Sequence, residues 1–421
     1  MAFKDIRKSR KWLSPEEIRI LVVLLIILSA ALALNIYLAR VLPAGEWLYL
    51  RWSGVRAFLF EQIEPYSTAI AQRVQQIVYE RNAFPTEYRY VLNDPLYIVL
   101  LYTPLALFPN FQIARAVWML VCEVALIFTV LFSFRLSEWE PPRWLYVGLF
   151  GFGLLSFFSL NALITASPAI FLSLLYLSIL LALRSYSDEL AGALLFLAAY
   201  QWEVGGLFFI FILVFVFANR RWGVLGGFGM SLFVLLIVSF LVNPDWGLPY
   251  IRAVLSNLYQ SANLNLGYIL AGWFPDARFP IGRWISIFLI AIVFVESLAA
   301  VQGHFRRNVW VASLALAAMP LTGLAIFPSN YVVLLLPLVV ILTLAWERWL
   351  RRRIFVIVLI LLVAFFVPFG LYLQSVSEYA PLYTELLSVL PPVAAILGLY
   401  WMRWWVIRSP RTWADQIGFL K

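Results

Sequence analysis

The stretch "IRILVVLLIILSAALALNIYLARVL" (Ile18–Leu42) decides the fold class of this chain. It is 25 residues long, and its charged residues, Arg19 and Arg40, stand near its two ends. A hydrocarbon core about 30 Å thick is crossed by roughly 20 apolar residues in a helix. Backbone groups in lipid must bond within their own segment, so a stretch of this kind is predicted to be a membrane-spanning helix.

Similar apolar runs recur along all 421 residues. Apolar residues make up 63% of the chain and charged residues only 13%, with a mean hydropathy of +0.89. These values exclude an ordinary soluble domain. The sequence therefore predicts an all-α polytopic membrane protein with one integral membrane domain, residues 1–421.

Thirteen apolar segments are candidate spans. They are 18–42, 95–109, 112–134, 144–160, 168–184, 189–202, 204–218, 223–242, 284–302, 309–327, 329–346, 353–375 and 388–406. Several are short, and we expect one between 95 and 218 to be re-entrant or merged with a neighbour. The predicted architecture is a bundle of about 12 transmembrane helices.

Basic clusters indicate the sidedness, because Lys and Arg collect in cytoplasmic loops. The clusters are "KDIRKSRK" (4–11), "NRRW" (219–222), "HFRRN" (304–308), "WERWLRRR" (346–353) and the tail from Arg403. We expect these on the cytoplasmic side, with both termini and a short tail, 407–421. The segments 43–94, 243–280 and 376–387 are then extracytoplasmic. This distribution accounts for the net charge of +9 without a nucleic-acid partner.

Several kinds of chemistry are excluded by residue counts. Cys122 and His304 are the only residues of their types, so neither an intramolecular disulfide nor a His or Cys metal cluster can form. Neither a phosphate-binding loop nor a dinucleotide glycine motif is present. The sequence predicts no metal site and no cofactor.

The segment 43–94 is predicted to hold two amphipathic helices at the membrane interface. In the first, an apolar side is opposed to a polar side. The apolar side consists of Leu48, Trp52, Val55, Leu59 and Ile63, and the polar side of Glu46, Ser53, Ala57 and Glu61. We expect Pro65 to end this helix and Ser67 to cap a second one that runs to about Glu80, with Ile70, Val74 and Ile77 on one side.

In order along the chain, five motifs resemble those of glycosyltransferase family 87, polyprenyl-phosphate-mannose-dependent mannosyltransferases of the GT-C superfamily. They are "GEW" (45–47), "VRAFLF" (55–60), "EPYS" (64–67), "NDPLYIVLLYTPLALFP" (93–109) and "SNYVVLLLPLV" (329–339). The resemblance covers about 18–347. Three positions depart from the family pattern: Glu46 replaces an Asp, Gln201-Trp202 replaces a Lys-Pro pair, and "ASP" (166–168) replaces a Gly-Gln feature.

The resemblance implies an inverting transfer of a hexosyl group from a polyprenyl-phosphate sugar donor to a lipid or glycan acceptor at the extracytoplasmic face. Glu46 is then the candidate catalytic base. The residues expected to contact the substrate are Arg56, Arg51, Glu64, Tyr66, Asp94, Glu203 and Arg252. Arg115 and Arg184 are set aside because their side of the membrane is not fixed, and Glu296 is expected to pair with an arginine inside the bundle.

Other interpretations remain open at this point. The segment 43–94 is also typical of an interfacial anchor whose Trp and Tyr residues contact lipid headgroups. Twelve crossings would suit a transporter or lipid flippase, although matching halves are not seen. The missing Lys-Pro pair also keeps open a non-catalytic homologue that acts as a structural subunit.

Overall fold

The structure is a computed structural model that describes residues 15–42, 44–84, 87–260, 265–275, 280–301, 303–324, 326–377 and 381–407. None of these residues lies in a β-strand. The helices are α1 (Pro15–Val41), α2 (Glu46–Arg56), α3 (Thr68–Tyr79), α4 (Leu96–Leu100), α5 (Thr103–Ala106), α6 (Phe111–Ser137), α7 (Arg143–Leu155), α8 (Phe157–Ile164), α9 (Ala169–Arg184), α10 (Asp188–Ala198), α11 (Trp202–Ala218), α12 (Trp222–Val242), α13 (Gly247–Gln260), α14 (Leu266–Trp273), α15 (Ile281–Ala300), α16 (Phe305–Ala318), α17 (Leu335–Arg348), α18 (Arg353–Ser377), α19 (Pro381–Trp401) and α20 (Arg403–Ile407).

Seven described helical segments are long and apolar enough to cross a membrane. They are α1, α6, α12, α15, Pro328–Arg348 (α17 with the 3₁₀ turn before it), α18 and α19. The pair α7–α8, bent by 42°, makes an eighth if it is one span. The chain is therefore an all-α polytopic membrane protein, as its composition predicts.

One end of the bundle, which we call the basic end, gathers arginines from distant parts of the chain. The carboxylate of Glu296 pairs with Arg403 at 2.7 Å and with Arg307 at 3.6 Å. The guanidinium of Arg184 lies 5.8 Å from the Phe305 ring centre. The expected pairing of Glu296 is confirmed, and it brings two of the predicted basic clusters to one end.

The predicted extracytoplasmic segments meet at the opposite, or distal, end. The Tyr88 hydroxyl, from 43–94, donates a hydrogen bond to Asn257 Oδ1 at 2.8 Å. The Trp273 indole N–H, from 243–280, donates to Glu385 of α19. The three segments therefore lie together, on the other end of the bundle from the arginines.

Residues 95–109 do not form a span, which corrects the prediction. They form two short helices, α4 and α5, of five and four residues. Pro104 has no N–H to donate to the turn before it, so a continuous helix breaks there. The C-terminal end of α5 packs on α2, where the Ala106 carbonyl accepts from Arg56 and the Phe108 carbonyl accepts from Trp52.

Because 95–109 is not a span, the number of segments between 43–94 and "NRRW" becomes odd, as the predicted sidedness requires. Between 43–94 and "NRRW" there remain five segments, an odd number, namely α6, the bent pair α7–α8, α9, α10 and α11. With α1, α12 and the later helices, the described chain has twelve such segments, of which seven, or eight with the bent pair, have the length and composition of a membrane span. The N-terminal end of α1 and the C-terminal end of α19 then both lie at the basic end. The predicted tail and the first basic cluster lie outside the described residues.

The α10–α11 connection turns below the distal surface. Helix α10 has 11 residues, which corresponds to about 16 Å of length. It packs closely on α12, since a Cβ at Gly192 would lie 1.9 Å from the Val224 carbonyl oxygen. Helix α4 packs next to the turn, where the rings of Tyr97 and Phe196 are 5.0 Å apart.

Most of helix α2 is enclosed by protein, which differs from the expectation of a helix lying at the membrane interface. Ser53 and Ala57, from the predicted polar side, are 3% and 0% exposed. Residues of the predicted apolar and polar sides are both buried along α2, whereas Leu59 and Glu61, one from each side, are exposed in the π-helical turn that follows. Helix α2 continues as a π-helical turn to Glu61, so it ends before Pro65.

Helix α3 matches the prediction in its limits but not in all its contacts. Ser67 occupies the N-cap position without a side-chain capping bond. Ile70 and Val74 are buried, whereas Ile77, predicted on the same side, is exposed.

Candidate functional site

Glu46 opens α2 just after the end of α1, at the distal end. The residue before it, Gly45, has a φ of +104°, a conformation that favours glycine. A Cβ at Gly45 would lie 2.9 Å from the Cδ and Nε of Arg115. The Gly45 N–H donates to Glu46 Oε2 at 3.0 Å. Gly45 thus fixes the carboxylate in place and allows an arginine to approach the same turn.

Arg115 is a residue that the sequence reasoning set aside. It lies near the start of α6, is 2% exposed, and donates to the carbonyls of Leu42 at 2.7 Å and Ile164 at 2.8 Å. It therefore joins the distal ends of α1 and α8 beside Glu46. Its side of the membrane follows from the sequence only once 95–109 is known not to cross.

The surroundings of Glu46 change its proton affinity. Burial raises the pKa of its carboxyl group above 4.5, and the backbone hydrogen bonds and the charge of Arg115 oppose that rise without cancelling it. Burial likewise raises the pKa of the Tyr90 hydroxyl, and the nearby Glu46 charge raises it further. A carboxylate with a raised pKa is a stronger base, which suits proton transfer.

An aromatic cluster lies next to Glu46. The ring of Trp47 is 5.7 Å from Tyr88, 5.7 Å from Tyr90 and 5.1 Å from Phe327. Tyr88 and Tyr90 come from "RNAFPTEYRYVLND" (81–94), the connection that follows α3 within 43–94. Tyr90 has a φ of 50°, so this part of the chain is not a regular extended strand and its i, i+2 spacing did not predict the cluster.

Three of the predicted substrate residues form one buried group. Arg51 and Asp94, each 2% exposed, pair at 2.7 Å between Nε and Oδ2. Arg51 also donates to the Trp47 carbonyl at 2.8 Å, and the Tyr66 hydroxyl donates to the Asp94 carbonyl at 3.0 Å. The charges of Arg51 and Asp94 are therefore paired with each other, and Arg51 holds the first turn of α2, which carries Glu46.

Glu203 is connected to the aromatic cluster through a second series of polar contacts. Asn257 Nδ2 on α13 lies 3.4 Å from Glu203 Oε1, and its Oδ1 accepts from Tyr88. Glu203 thus lies at the α10–α11 turn and is connected to the segment 43–94 through Asn257. Asn257 was one of several amides in 243–280, and nothing in the sequence singled it out.

The other predicted substrate residues stand apart. Arg56 Nη1 donates to the Ala106 carbonyl at 3.1 Å, Glu64 is half-buried before Pro65, and Arg252 is exposed on α13. Among the contacts described, none joins these three side chains to Glu46. The structure brings Glu46, Arg51, Tyr66, Asp94 and Glu203 to one region and leaves Arg56, Glu64 and Arg252 at its margins.

Gln201 and Trp202, which stand where the family pattern has Lys-Pro, lie beside a small void. It has a volume of about 10 Å³ and is lined by Gln201, Trp202, Tyr176 and Gly205, among others. That is about the room for one water molecule. A larger cleft of about 490 Å³ lies at the basic end, next to Arg220 and the Asp188–Arg221 ion pair, far from Glu46 along the bundle.

Within the described ranges, no three His, Cys, Asp or Glu side chains are grouped in a way that could hold a metal ion. Comparison with family models, with curated proteins and with solved structures found no match to this chain.

Proposed function

We propose that this chain is a GT-C-type glycosyltransferase. It moves a hexosyl group, with mannosyl as the first candidate, from a polyprenyl-phosphate donor to a lipid or glycan acceptor on the extracytoplasmic side of the cell membrane. The observation that carries the proposal is Glu46: a half-buried carboxylate with a raised pKa, at the distal end of α1, beside an arginine and an aromatic cluster. A donor anchored by a polyprenyl chain would present its headgroup at this depth.

The proposed reaction needs one base and a charge to stabilise the leaving group. Glu46 takes the proton of the acceptor hydroxyl as its oxygen attacks the anomeric carbon. The bond from that carbon to the phosphate oxygen breaks, and the polyprenyl phosphate leaves with the electron pair. The attack comes from the side opposite the leaving group, so the anomeric configuration inverts. Arg56, at the margin of the site, is the candidate for the developing phosphate charge.

The buried groups support a positioning role around this base. Arg51 donates to the Trp47 carbonyl, so its ion pair with Asp94 holds the turn that begins with Glu46. Glu203 is held to the same region through Asn257 and Tyr88. In this protein these contacts occupy the region where the family resemblance would place a Lys-Pro pair.

The test is sugar transfer in membranes supplied with labelled polyprenyl-phosphate mannose. The comparison is between the parent chain, Glu46→Gln and the matched control Glu61→Gln, which changes an exposed glutamate of the same segment. Loss of a general base slows such steps by roughly a hundred- to ten-thousandfold. We expect that loss for Glu46→Gln and parental transfer for Glu61→Gln.

Two results would contradict the proposal in different ways. Equal transfer by the parent and Glu46→Gln removes Glu46 as the base. No transfer by the parent from a panel of polyprenyl-phosphate sugars favours a transporter, a lipid flippase or a non-catalytic structural subunit. A flippase is then tested by movement of a fluorescent lipid phosphate across vesicles that contain the parent chain.

A further inference from the structure

Helix α13 has two faces with different surroundings. Tyr250, Ala253 and Asn257 point into the protein, where the Tyr250 ring lies 5.9 Å from Tyr66 and Asn257 meets Tyr88. On the opposite side Leu248 and Leu255 are 59% and 54% exposed. Positions spaced by three and four residues share one side of a helix, so these faces are opposed.

The exposed apolar face contains Leu248, Ile251 and Leu255, with Arg252 at its edge; we call it the α13 outer face. It begins six residues after the end of α12. The last turn of α12 is itself apolar and exposed, with Leu241 79% exposed. Helix α12 is one of the membrane-length helices, and only 11% of its apolar window is buried in the protein. The lipid-facing surface of α12 thus leads directly into the α13 outer face.

We propose that α13 is an interfacial helix whose outer face lies in the lipid leaflet at the distal end, with Arg252 in contact with lipid phosphate. An amphipathic helix binds a leaflet by burying its apolar face near the headgroups, and a cation beside that face is attracted to phosphate. The buried face of the same helix carries Asn257 to Glu203 and Tyr88. The lipid leaflet therefore holds one wall of the polar site in place.

This proposal does not depend on sugar transfer. It adds to the expectation from the sequence, which predicts two interfacial helices in 43–94. Helix α2 is enclosed by protein, whereas α13 pairs a protein-facing side with an apolar, exposed side. The experiment below separates lipid contact from coverage of the same face by a second copy of the chain.

The test places a nitroxide spin label on α13 in lipid nanodiscs. Single cysteines are introduced at Ile251 and at Leu255 in a Cys122→Ala background, and the label's collision rates with oxygen and with a soluble nickel chelate are measured. Phe233→Cys, exposed on α12, is the lipid reference, and Gln76→Cys, exposed on α3, is the water reference. We expect both α13 labels to favour oxygen over nickel, as the label at 233 does.

Two outcomes would overturn the lipid contact. Nickel accessibility equal to that at 76 means that the α13 outer face is in water. Low collision rates with both reagents, together with spin–spin broadening, mean that a second copy covers the face.

A second variant tests the headgroup contact. Arg252→Gln should increase nickel accessibility at 255 in nanodiscs of phosphatidylglycerol, and less so in neutral phosphatidylcholine. Equal values for the parent and Arg252→Gln in both lipids would overturn the phosphate contact of Arg252.

Discussion

At the residue scale, the carboxyl group of Glu46 makes a prediction about pH. Burial raises its pKa above 4.5, and only the ionised form can accept a proton from the acceptor hydroxyl. If Glu46 is the base, transfer falls as the pH decreases through the raised pKa, so the acidic limb has its midpoint above 4.5. Initial rates of transfer between pH 4 and 8, at subsaturating acceptor, measure this midpoint. An acidic limb that is unchanged in Glu46→Asp and Glu46→Gln would assign it to another group.

The raised pKa of Glu46 affects stability in the opposite direction to activity: it stabilises the folded state at low pH. A carboxyl whose pKa is raised on folding favours the folded state when protonated, and this contribution is lost as the pH rises from its unfolded value through the folded pKa. We expect Glu46→Gln to gain thermal stability relative to the parent above the folded pKa and to show little difference below 4.5. Melting temperatures in detergent across this range provide the measurement. A difference that does not vary with pH would show that the side chain acts through packing alone.

Arg51 and Asp94 make a prediction about stability that does not depend on any activity. Removing one member of a buried ion pair leaves the other charge uncompensated, which costs about 3–5 kcal/mol. We expect Arg51→Met to lower the melting temperature strongly and the double variant Arg51→Met/Asp94→Leu to recover much of that loss. Equal melting of the single and double variants would show that the charges are not coupled. Arg73→Met, from an exposed ion pair, is the control and should change little.

At the element scale, the sequence predicts the long helices well and, in the segment 43–94, the limits of α3 but not the burial of α2. Apolar length is a local property, so spans such as α12 and α18 can be identified from single runs. The burial of Ser53 depends on how α4 and α5 pack against α2, which is not visible in any one run. The proximity of Glu46 and Arg115 could likewise be predicted only if 95–109 were known not to cross the membrane.

Whether 95–109 crosses the membrane can be tested with single cysteines in the Cys122→Ala background. Gln76, on α3, precedes 95–109, and Gln112, on α6, follows it; both are exposed. Because α4 and α5 do not cross, we expect Gln76→Cys and Gln112→Cys to react with a membrane-impermeant maleimide from the same side of intact cells. If 95–109 were a span, one would react in intact cells and the other only after permeabilisation. Recovery of both labels in permeabilised cells is the control that both sites are reactive.

At the scale of the whole molecule, charge divides the bundle into two unlike ends. Four carboxylates of the described residues at the basic end, Glu138, Asp188, Glu296 and Glu347, are paired with arginines. At the distal end the polar groups are interleaved with aromatic rings, as in the cluster around Trp47. The basic clusters were identified from the sequence, but their convergence depends on packing, since Arg307 and Arg403 are far apart in the chain and both pair with Glu296.

This asymmetry predicts the orientation on which the proposed function depends. Arginine-rich loops remain cytoplasmic, so the basic end should face the cytoplasm and Glu46 the outside. In the Cys122→Ala background, we expect impermeant maleimide to label Gln76→Cys in intact cells and Arg220→Cys, exposed at the basic end, only after permeabilisation. The reverse pattern would turn Glu46 toward the cytoplasm, where it could not meet a donor carried in the outer leaflet. The glycosyltransferase proposal would then fail in its present form, whereas the internal contacts of α2, α13 and Arg115 would stand unchanged.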